Sequence, residues 1–224
     1  MAHEQSISDK QRLLDHLLSY ATPRKRERMQ EVIANRTRYI TVVMEDIFQP
    51  HNANATVRTC EILGVQDVHV VQKSNQFSVV NTVAMGACKW LNVHPYQTSE
   101  QAIDKLKNDG YRIVATVPSP TAKTLADLPL DTGKLALFFG TEETGLTSQI
   151  LASADEFLQI PMYGFTQSYN VSVSVAICLQ ALISRLRDTH IDWRLTDEQK
   201  LDVLLEWAYK AVPAAQYLEK ELEL

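Results

Sequence analysis

Short apolar segments alternate along this chain with segments of helical periodicity, and this alternation is the strongest constraint on its fold. Runs such as LALFF at residues 135–139 lack polar residues at alternate positions, which indicates strands that are buried on both faces. Strands separated by helices favour a parallel sheet. We therefore predict an α/β domain with a mostly parallel sheet flanked by helices. The predicted strands are residues 39–44, 67–71, 112–117, 135–139 and a last one that ends near residue 160.

Helical spacing and capping residues predict seven helices. Pro50 breaks the chain after the first strand, and Asn52 or Asn54 is predicted to cap a helix that ends at Gly64. Residues 76–91 fit neither pattern and favour a packed loop or a short helix. The other predicted helices cover residues 9–21, 23–35, 99–108, 148–152, 171–187 and 196–211.

The chain length of 224 residues is enough for one large domain with small extensions. The sequence has no internal repeat and no low-complexity linker. We predict a helical, basic N-terminal extension at residues 1–38, the α/β domain at residues 39–190, and a helical C-terminal extension at residues 191–224.

Several classes of protein are disfavoured by the composition. No apolar run reaches the roughly 18 residues that suggest a membrane span, and residues 1–20 are too polar for a signal peptide. We therefore expect a cytoplasmic protein without a membrane partner. Cys60, Cys88 and Cys178 lie far apart among apolar neighbours, which predicts reduced core residues. The six histidines have no HxxxH or HxH spacing, so we expect no metal.

The net charge of −5 does not favour nucleic-acid binding, but the charge is unevenly distributed. Residues 192–224 contain eight acidic and four basic residues, whereas residues 24–38 contain six basic and two acidic ones. A basic segment can bind phosphate groups whatever the total charge is. A solvated amphipathic helix explains the pattern equally well. The basic candidates are Arg24, Lys25, Arg26, Arg28, Arg36 and Arg38.

The segment after the first strand, PHNANATVRT, contains Asn52 and Arg58. Six positions along a helix separate two side chains by roughly 120°, so they converge only if Asn52 lies in the loop or cap. A basic side chain near the carboxyl end of a strand suits an anionic substrate. Alternatively, Arg58 forms a surface ion pair with Glu61.

A second polar segment, GTEETGL, directly follows the apolar run at residues 135–139. Gly140 would let a ligand approach the backbone closely, and Gly145 allows a positive φ. The segment has neither of the two common phosphate-binding glycine patterns, and Glu142 and Glu143 would repel phosphate. A cationic or hydroxylated ligand fits better, and a tight strand-to-helix turn is the alternative.

Residues 160–179, IPMYGFTQSYNVSVSVAICL, combine a strand end, a polar loop and the start of a buried helix. Pro161 ends the strand because it has no N–H to donate, and Asn170 is predicted to cap the helix. In open α/β sheets, ligands bind at the carboxyl ends of strands, beside helix N-termini. Ser168 and Asn170, next to apolar neighbours such as Tyr169, would suit an adenine ring. A well-capped buried helix alone is the alternative.

In this order, the three segments resemble the motifs of the SPOUT RNA methyltransferases, specifically the SpoU/TrmH branch. Each motif is weak alone, but three in order at the ends of strands are a strong signal, and the resemblance covers most of the chain. The motifs are N-x5-R-T (Asn52, Arg58, Thr59), G-x-E-x-x-G (Gly140, Glu142, Gly145), and I-P-M followed by S-x-N-V-S-V (residues 160–162, Ser168 and residues 170–173).

The resemblance implies a fold and an activity. The C-terminal part of the sheet would form a deep trefoil knot that holds S-adenosylmethionine in a bent conformation, and the protein would be a homodimer with the active site at the subunit interface. The reaction would be 2′-O-methylation of a ribose in RNA. The basic N-terminal helix and the helix around Trp207 are similar to those of branch members that methylate guanosine-18 in the D-loop of tRNA.

The sequence leaves three alternatives to that activity. The first is the same chemistry on rRNA or at another tRNA position, because the motifs determine the chemistry and not the substrate. The second is a knotted RNA-binding protein without catalysis, which the intact motif residues disfavour. The third is a nucleotide-binding oxidoreductase, which lacks a dinucleotide fingerprint in this sequence.

The resemblance also implies residue roles. In the family the arginine of the first motif, here Arg58, is assigned as the base that accepts the proton of the 2′-hydroxyl. A guanidinium is effectively always protonated, so we favour a role that Arg58 shares with a substrate phosphate. The residues implied to organise the catalytic site are Asn52, Glu142, Ser168 and Asn170. Those implied to line the cofactor pocket are Thr116, Gly140, Ile160, Met162 and Tyr169.

Two features depart from the family pattern. Tyr169 stands where relatives usually have leucine, although an aromatic ring can still form one wall of an adenine pocket. The C-terminal tail, EKELEL, is acidic, whereas the tails of relatives tend to be basic. We therefore expect RNA to dock at residues 24–38.

Overall fold

The computed structural model describes residues 6–47, 49–72 and 86–222. The chain forms two compact units. One comprises the residues up to Arg36 together with those from Arg194 onward, and the other comprises Thr37–Trp193. Residues 76–85, part of the segment that fitted no pattern in the sequence, lie outside the described residues.

The larger unit contains a six-stranded sheet in which every described strand pair is parallel, in the order β3-β2-β1-β5-β4-β6. This confirms the prediction of an α/β fold with a parallel sheet. The strands are β1 (Ile40–Glu45), β2 (Asp67–Val71), β3 (Asn92–Tyr96), β4 (Tyr111–Thr116), β5 (Lys134–Phe139) and β6 (Glu156–Leu158).

One strand was missed in the sequence. β3 contains Pro95 and has no fully buried residue, so it lacks the apolar run that revealed the other strands. Its place at the edge of the sheet explains both properties, because an edge strand tolerates a proline and has a solvated side.

The helices of the two units are, in chain order, α1 (Ile7–Ser19), α2 (Pro23–Ile33), α3 (Pro50–Leu63), α4 (Ser99–Asn108), α5 (Ser148–Ser153), α6 (Val171–Arg187), α7 (Asp197–Ala211) and α8 (Ala215–Lys220). A 3₁₀ helix covers Ala87–Trp90. None of these helices is long and apolar enough to cross a membrane, as far as the described residues extend. The sequence did not reveal α8.

The predicted cap of α3 was wrong. The helix already begins at Pro50, whose fixed φ suits the first helical position, and Gln49 occupies the cap position without a side-chain hydrogen bond. Asn52 and Asn54 are therefore buried residues of the first turns. Asn54 instead donates to the carbonyl oxygen of Pro50 at 2.8 Å.

Both faces of the sheet are covered by apolar side chains. On one face, residues such as Val57 of α3 and Leu179 of α6 pack against β1 and β5. On the other, α4 and α5 contribute Leu106 and Ile150. The whole run from Leu135 to Phe139 is consequently buried, as its uninterrupted apolar sequence indicated. The carboxyl edge of the sheet is thus held between two layers of helices.

The smaller unit joins both ends of the chain. Lys10 of α1 contacts Asp202 of α7 at 2.7 Å, and the Lys25 ammonium donates to the carbonyl oxygen of Ala211 at 3.0 Å. Arg36 is 0% exposed, with its guanidinium carbon 5.3 Å from the ring centre of Trp207. Arg36 was predicted to bind RNA, and its burial removes it from the surface. The division into three domains stays a prediction.

His69 of β2 should make the stability of the larger unit depend on pH. The residue is 5% exposed, and its ring stacks on that of His94 with 4.8 Å between the ring centres. Burial, with the charge of His94, lowers the pKa of His69 to about 4. Because an unfolded histidine titrates near pH 6.5, the folded state is fully favoured above that pH and loses stability as the pH falls towards 4. We expect a loss of about 2–3 kcal/mol between pH 7 and pH 4.5.

Urea unfolding at the two pH values measures this loss, and His69→Asn should remove it. His190→Asn is the control, because His190 is exposed and its replacement should leave the pH dependence as in the wild type. Equal losses in the wild type and in His69→Asn would show that another group is responsible.

Candidate active site

Three segments that are distant in sequence meet at the carboxyl edge of the sheet. Asn52, in the first turn of α3, donates from its amide nitrogen to Glu142 Oε1 at 2.6 Å. Asn170 donates to Asn52 Oδ1 at 2.9 Å, and lies 3.5 Å from Glu142 Oε1. The structure therefore brings together three of the five predicted catalytic residues in one hydrogen-bond network.

Asn170 also caps α6, as predicted. Its Oδ1 accepts from the backbone N–H of Ser172 at 2.9 Å and from the Ser172 hydroxyl at 2.6 Å. One face of the side chain thus satisfies the helix N-terminus and the other binds Asn52. The same residue orients the start of the helix and the residues of the other two segments.

The GTEETGL segment forms a tight turn. Gly145 has a φ of 67°, and its N–H donates to the carbonyl oxygen of Thr141 at 3.0 Å. A Cβ atom at Gly140 would lie 2.2 Å from the carbonyl carbon of Gly145 and 2.5 Å from the amide nitrogen of Leu146. From the sequence, Gly140 was predicted to let a ligand approach the backbone closely. In the structure, the atoms that leave no room for a side chain at this position are backbone atoms of Gly145 and Leu146.

A cavity of about 430 Å³ lies beside this turn. Its wall includes residues from the ends of β4 and β5 and from the loop that precedes α6. Every residue predicted to line a cofactor pocket is part of the wall, and so are the predicted catalytic residues Glu142 and Ser168. The predicted lining residues are Thr116, Gly140, Ile160, Met162 and Tyr169.

Charge and polarity vary around the wall. The turn contributes Glu142 and Glu143 to the wall, whereas Leu158 and Ile160 contribute apolar surface. The Thr116 hydroxyl donates to the carbonyl oxygen of Phe138 at 2.8 Å, so it joins β4 to β5 below the cavity. Such a site can hold a ligand that has both an apolar ring and a cationic group.

Arg58 does not lie in this wall. Its side chain is exposed on α3, and no residue within the described ranges forms a hydrogen bond or ion pair with it. The alternative ion pair with Glu61 is therefore absent, and among the described residues Arg58 forms no hydrogen bond with the other four predicted catalytic residues.

One polar residue near the site was missed in the sequence. Glu45, the last residue of β1, is 2% exposed and binds Thr147, at the far end of the turn. A carboxylate that ends an otherwise apolar strand was the available signal. No group of three metal-ligating side chains occurs in the part of the chain that the structure describes.

Comparison with known proteins identifies the family. A model of the SpoU rRNA Methylase family matches residues 39–180, which contain all three motifs. This chain belongs to the SpoU rRNA methylase family. The resemblance seen in the sequence is thereby confirmed.

Relatives within the SpoU family are similar over most of their length. The tRNA (guanosine(18)-2'-O)-methyltransferase of Borreliella burgdorferi is 45% identical over 203 residues, which are 91% of this chain and 93% of the relative. The enzyme of the same name from Escherichia coli is 36% identical and covers 70% of this chain and 68% of the relative. The solved structure of the A. aeolicus TrmH/SpoU tRNA modifying enzyme is 29% identical, with a TM-score of 0.73, over 84% of this chain and 96% of that chain.

Proposed function

We propose that this protein uses S-adenosylmethionine to methylate the ribose 2′-hydroxyl of guanosine-18 in the D-loop of tRNA. The observation that carries the proposal is the meeting of Asn52, Glu142 and Asn170 beside the cavity whose wall contains all five residues predicted to bind the cofactor. The names of the B. burgdorferi and E. coli relatives support tRNA as the substrate. A tRNA substrate agrees with the expected cytoplasmic location.

The cavity fits S-adenosylmethionine in size and chemistry. Its volume of about 430 Å³ is within the range of roughly 300–1,000 Å³ found for small-molecule sites. Leu158 and Ile160 offer an apolar surface to the adenine ring, and the Glu142 and Glu143 carboxylates suit a cationic ligand. Bound there, the cofactor supplies a methyl group on a positively charged sulfur.

The chain's own residues have to orient the ribose and manage its proton. A hydroxyl is a poor nucleophile until its proton is removed. A guanidinium is effectively always protonated, so we assign Arg58 to bind a phosphate of the substrate. That phosphate accepts the proton of the 2′-hydroxyl, and the guanidinium holds the phosphate in place. Asn52 and Asn170 orient Glu142, and Ser168 contributes its hydroxyl to the cavity wall.

We propose that the active unit is a homodimer with the active site at the subunit interface. α3 and α6 pack against each other, and both have apolar side chains on their outer faces: Ile62 is 66% exposed and Val173 is 44% exposed. Exposed apolar surface of this kind is typical of protein interfaces. Arg58 lies one helical turn before Ile62 on α3. The described residues that line the cavity include no basic side chain, and a second copy docked on this face would bring its Arg58 to that cavity.

We also propose that the chain forms the deep trefoil knot of this family near the loop between β6 and α6, here called the cofactor loop. The Lys123 N–H donates to the carbonyl oxygen of Phe157 at 2.9 Å, and the Gln159 N–H donates to that of Lys123 at 2.8 Å. The segment after β4 therefore runs alongside the chain that leads into the cofactor loop. This pairing supports a threaded path, which a crystal structure of the full chain would trace directly.

RNA docking is proposed at the exposed basic side chains of α2, which are Arg24, Lys25, Arg26 and Arg28. Arg36 is buried, and the Arg38 guanidinium donates to Asp67 Oδ2 at 2.7 Å, so neither is included. Replacing Arg24 and Arg26 by glutamine should weaken tRNA binding about tenfold. It should also reduce the steepness of log affinity against log salt by about 1–2, because each phosphate contact that is lost means that about one counterion fewer is released from the RNA on binding.

The matched control neutralises Lys105 and Lys107, a second pair of exposed basic residues two positions apart on a helix. Fluorescence anisotropy with labelled tRNA at several salt concentrations measures both pairs. If the two double variants lose affinity and slope equally, the contribution is general charge and α2 is not the docking site.

The activity is tested by methyl transfer from labelled S-adenosylmethionine into separate pools of tRNA and rRNA, followed by mapping of the modified ribose. Label at guanosine-18 of tRNA is the expected result, and label in rRNA would keep the chemistry but change the substrate. Cofactor binding without label in either pool would favour an RNA-binding protein without catalysis. Binding of NAD in place of S-adenosylmethionine would support an oxidoreductase.

A further inference from the structure

Glu45 holds a buried carboxylate at the point where β1 ends. The residue is 2% exposed. Its Oε1 accepts from the hydroxyl of Thr147 at 2.7 Å and from the hydroxyl of Ser99, and its Oε2 accepts from the backbone N–H of Thr147 at 2.9 Å. Both oxygens thus serve as acceptors, which matches an ionised carboxylate. Burying a carboxylate without hydrogen-bond donors costs free energy, so the position of Glu45 depends on Thr147 and Ser99.

Thr147 closes the turn that forms one side of the cavity. The other end of the turn is held at Glu142 by the amide groups of Asn52 and Asn170. The intervening residues, up to Leu146, line the cavity. The turn is therefore fixed at both ends, at the near end by residues of the recognised motifs and at the far end by Glu45.

We propose that Glu45 is a positioning residue that keeps residues 140–147 in the conformation that binds the cofactor. The inference rests on the proposed methyltransferase function and adds a residue outside the three motifs. Glu45 itself does not line the cavity, so it acts through Thr147. With glutamine in its place, the amide N–H group would face one of the donors that now bind the carboxylate, and a hydrogen bond to a charged group would be lost.

Three substitutions separate positioning from a general structural role. Glu45→Gln removes the charge. Thr147→Val removes one bond to Glu45 but keeps the carboxylate and the backbone N–H, and it deletes no helix cap because the Thr147 side chain makes no capping bond. Ser99→Ala also removes one bond to Glu45, but Ser99 belongs to α4 and is not part of the turn.

The affinity of the full-length protein for S-adenosylmethionine is measured by calorimetry, together with kcat, KM and the melting temperature. We expect Glu45→Gln and Thr147→Val to weaken binding by about 10- to 100-fold and to raise KM for the cofactor by the same factor, because a charge-assisted bond stabilises the binding conformation. At saturating cofactor, kcat should stay within about threefold of the wild type. Ser99→Ala should keep wild-type affinity.

A loss of affinity in Ser99→Ala equal to that in Thr147→Val would overturn the inference. A lowered melting temperature in Glu45→Gln with unchanged affinity would also overturn it. If the wild-type protein itself fails to bind S-adenosylmethionine, the proposed function and this inference both fail. If the wild type binds and methylates while Thr147→Val binds equally well, only the inference fails.

Discussion

Replacing Gly140 by alanine is expected to lower the affinity for S-adenosylmethionine by about 10- to 100-fold. The new Cβ atom would lie 2.2 Å from the carbonyl carbon of Gly145. Because the opposing atoms are backbone, no side chain can rotate away and the turn must move, at a cost of about 1–3 kcal/mol. Each 1.4 kcal/mol corresponds to about a tenfold change in affinity. Isothermal titration calorimetry with the purified protein measures the effect directly.

Gly164→Ala is the matched control. It adds the same methyl group in the neighbouring loop, where no heavy atom lies within 4 Å of the new Cβ position. This variant should bind the cofactor as the wild type does. Equal affinities of the Gly140 and Gly164 variants would contradict the close approach of the turn to the end of β5.

Replacing Arg58 by lysine is expected to lower kcat by about 100-fold or more, the usual contribution of a group that manages proton transfer. Lysine keeps the positive charge but loses the planar fork that holds a phosphate by two hydrogen bonds. Cofactor affinity should not change, because Arg58 does not line the cavity. Single-turnover methylation and calorimetry measure the two quantities separately, and near-wild-type activity would exclude the proposed role.

Mixed dimers then test whether Arg58 serves the partner subunit. Subunits with Arg58→Ala are unfolded and refolded with subunits carrying Gly140→Ala, and activity is measured at a cofactor concentration too low to fill the weakened Gly140→Ala site. If Arg58 acts across the interface, a mixed dimer has one intact site. An equal mixture should recover about a quarter of the wild-type rate, because about half of the dimers are mixed. No recovery in dimers shown to be mixed would place Arg58 in the site of its own subunit.

Five of the six strands were predictable because strands that are buried on both faces consist of consecutive apolar residues. Residues 135–139 are apolar at every position, and the structure buries them on both faces. β3 could not be predicted from an apolar run, because a strand at the edge of the sheet does not have to be apolar at every position. The start of α3 was misplaced because two asparagines that resemble caps, Asn52 and Asn54, follow a proline that begins the helix.

The site was predictable in its residue types but not in its contacts. Asn52 and Asn170 are 118 positions apart, and Asn52 and Glu142 are 90 apart. Periodicity describes neighbours only, so their meeting followed from the resemblance to a family. Arg36 was misplaced for the same reason. The charge pattern predicted that it lies on a basic surface, but it packs on Trp207, which belongs to a helix near the other end of the chain.

The double role of Asn170 has a consequence for the synthesis of this protein on the ribosome. A nascent chain that has emerged only as far as β6 contains all six strands, the first motif and the turn. It lacks both the residue that joins them and the helix that this residue starts. Because part of the cavity wall and the cap of α6 come after β6, we expect chains that end before α6 to lack a complete cofactor site.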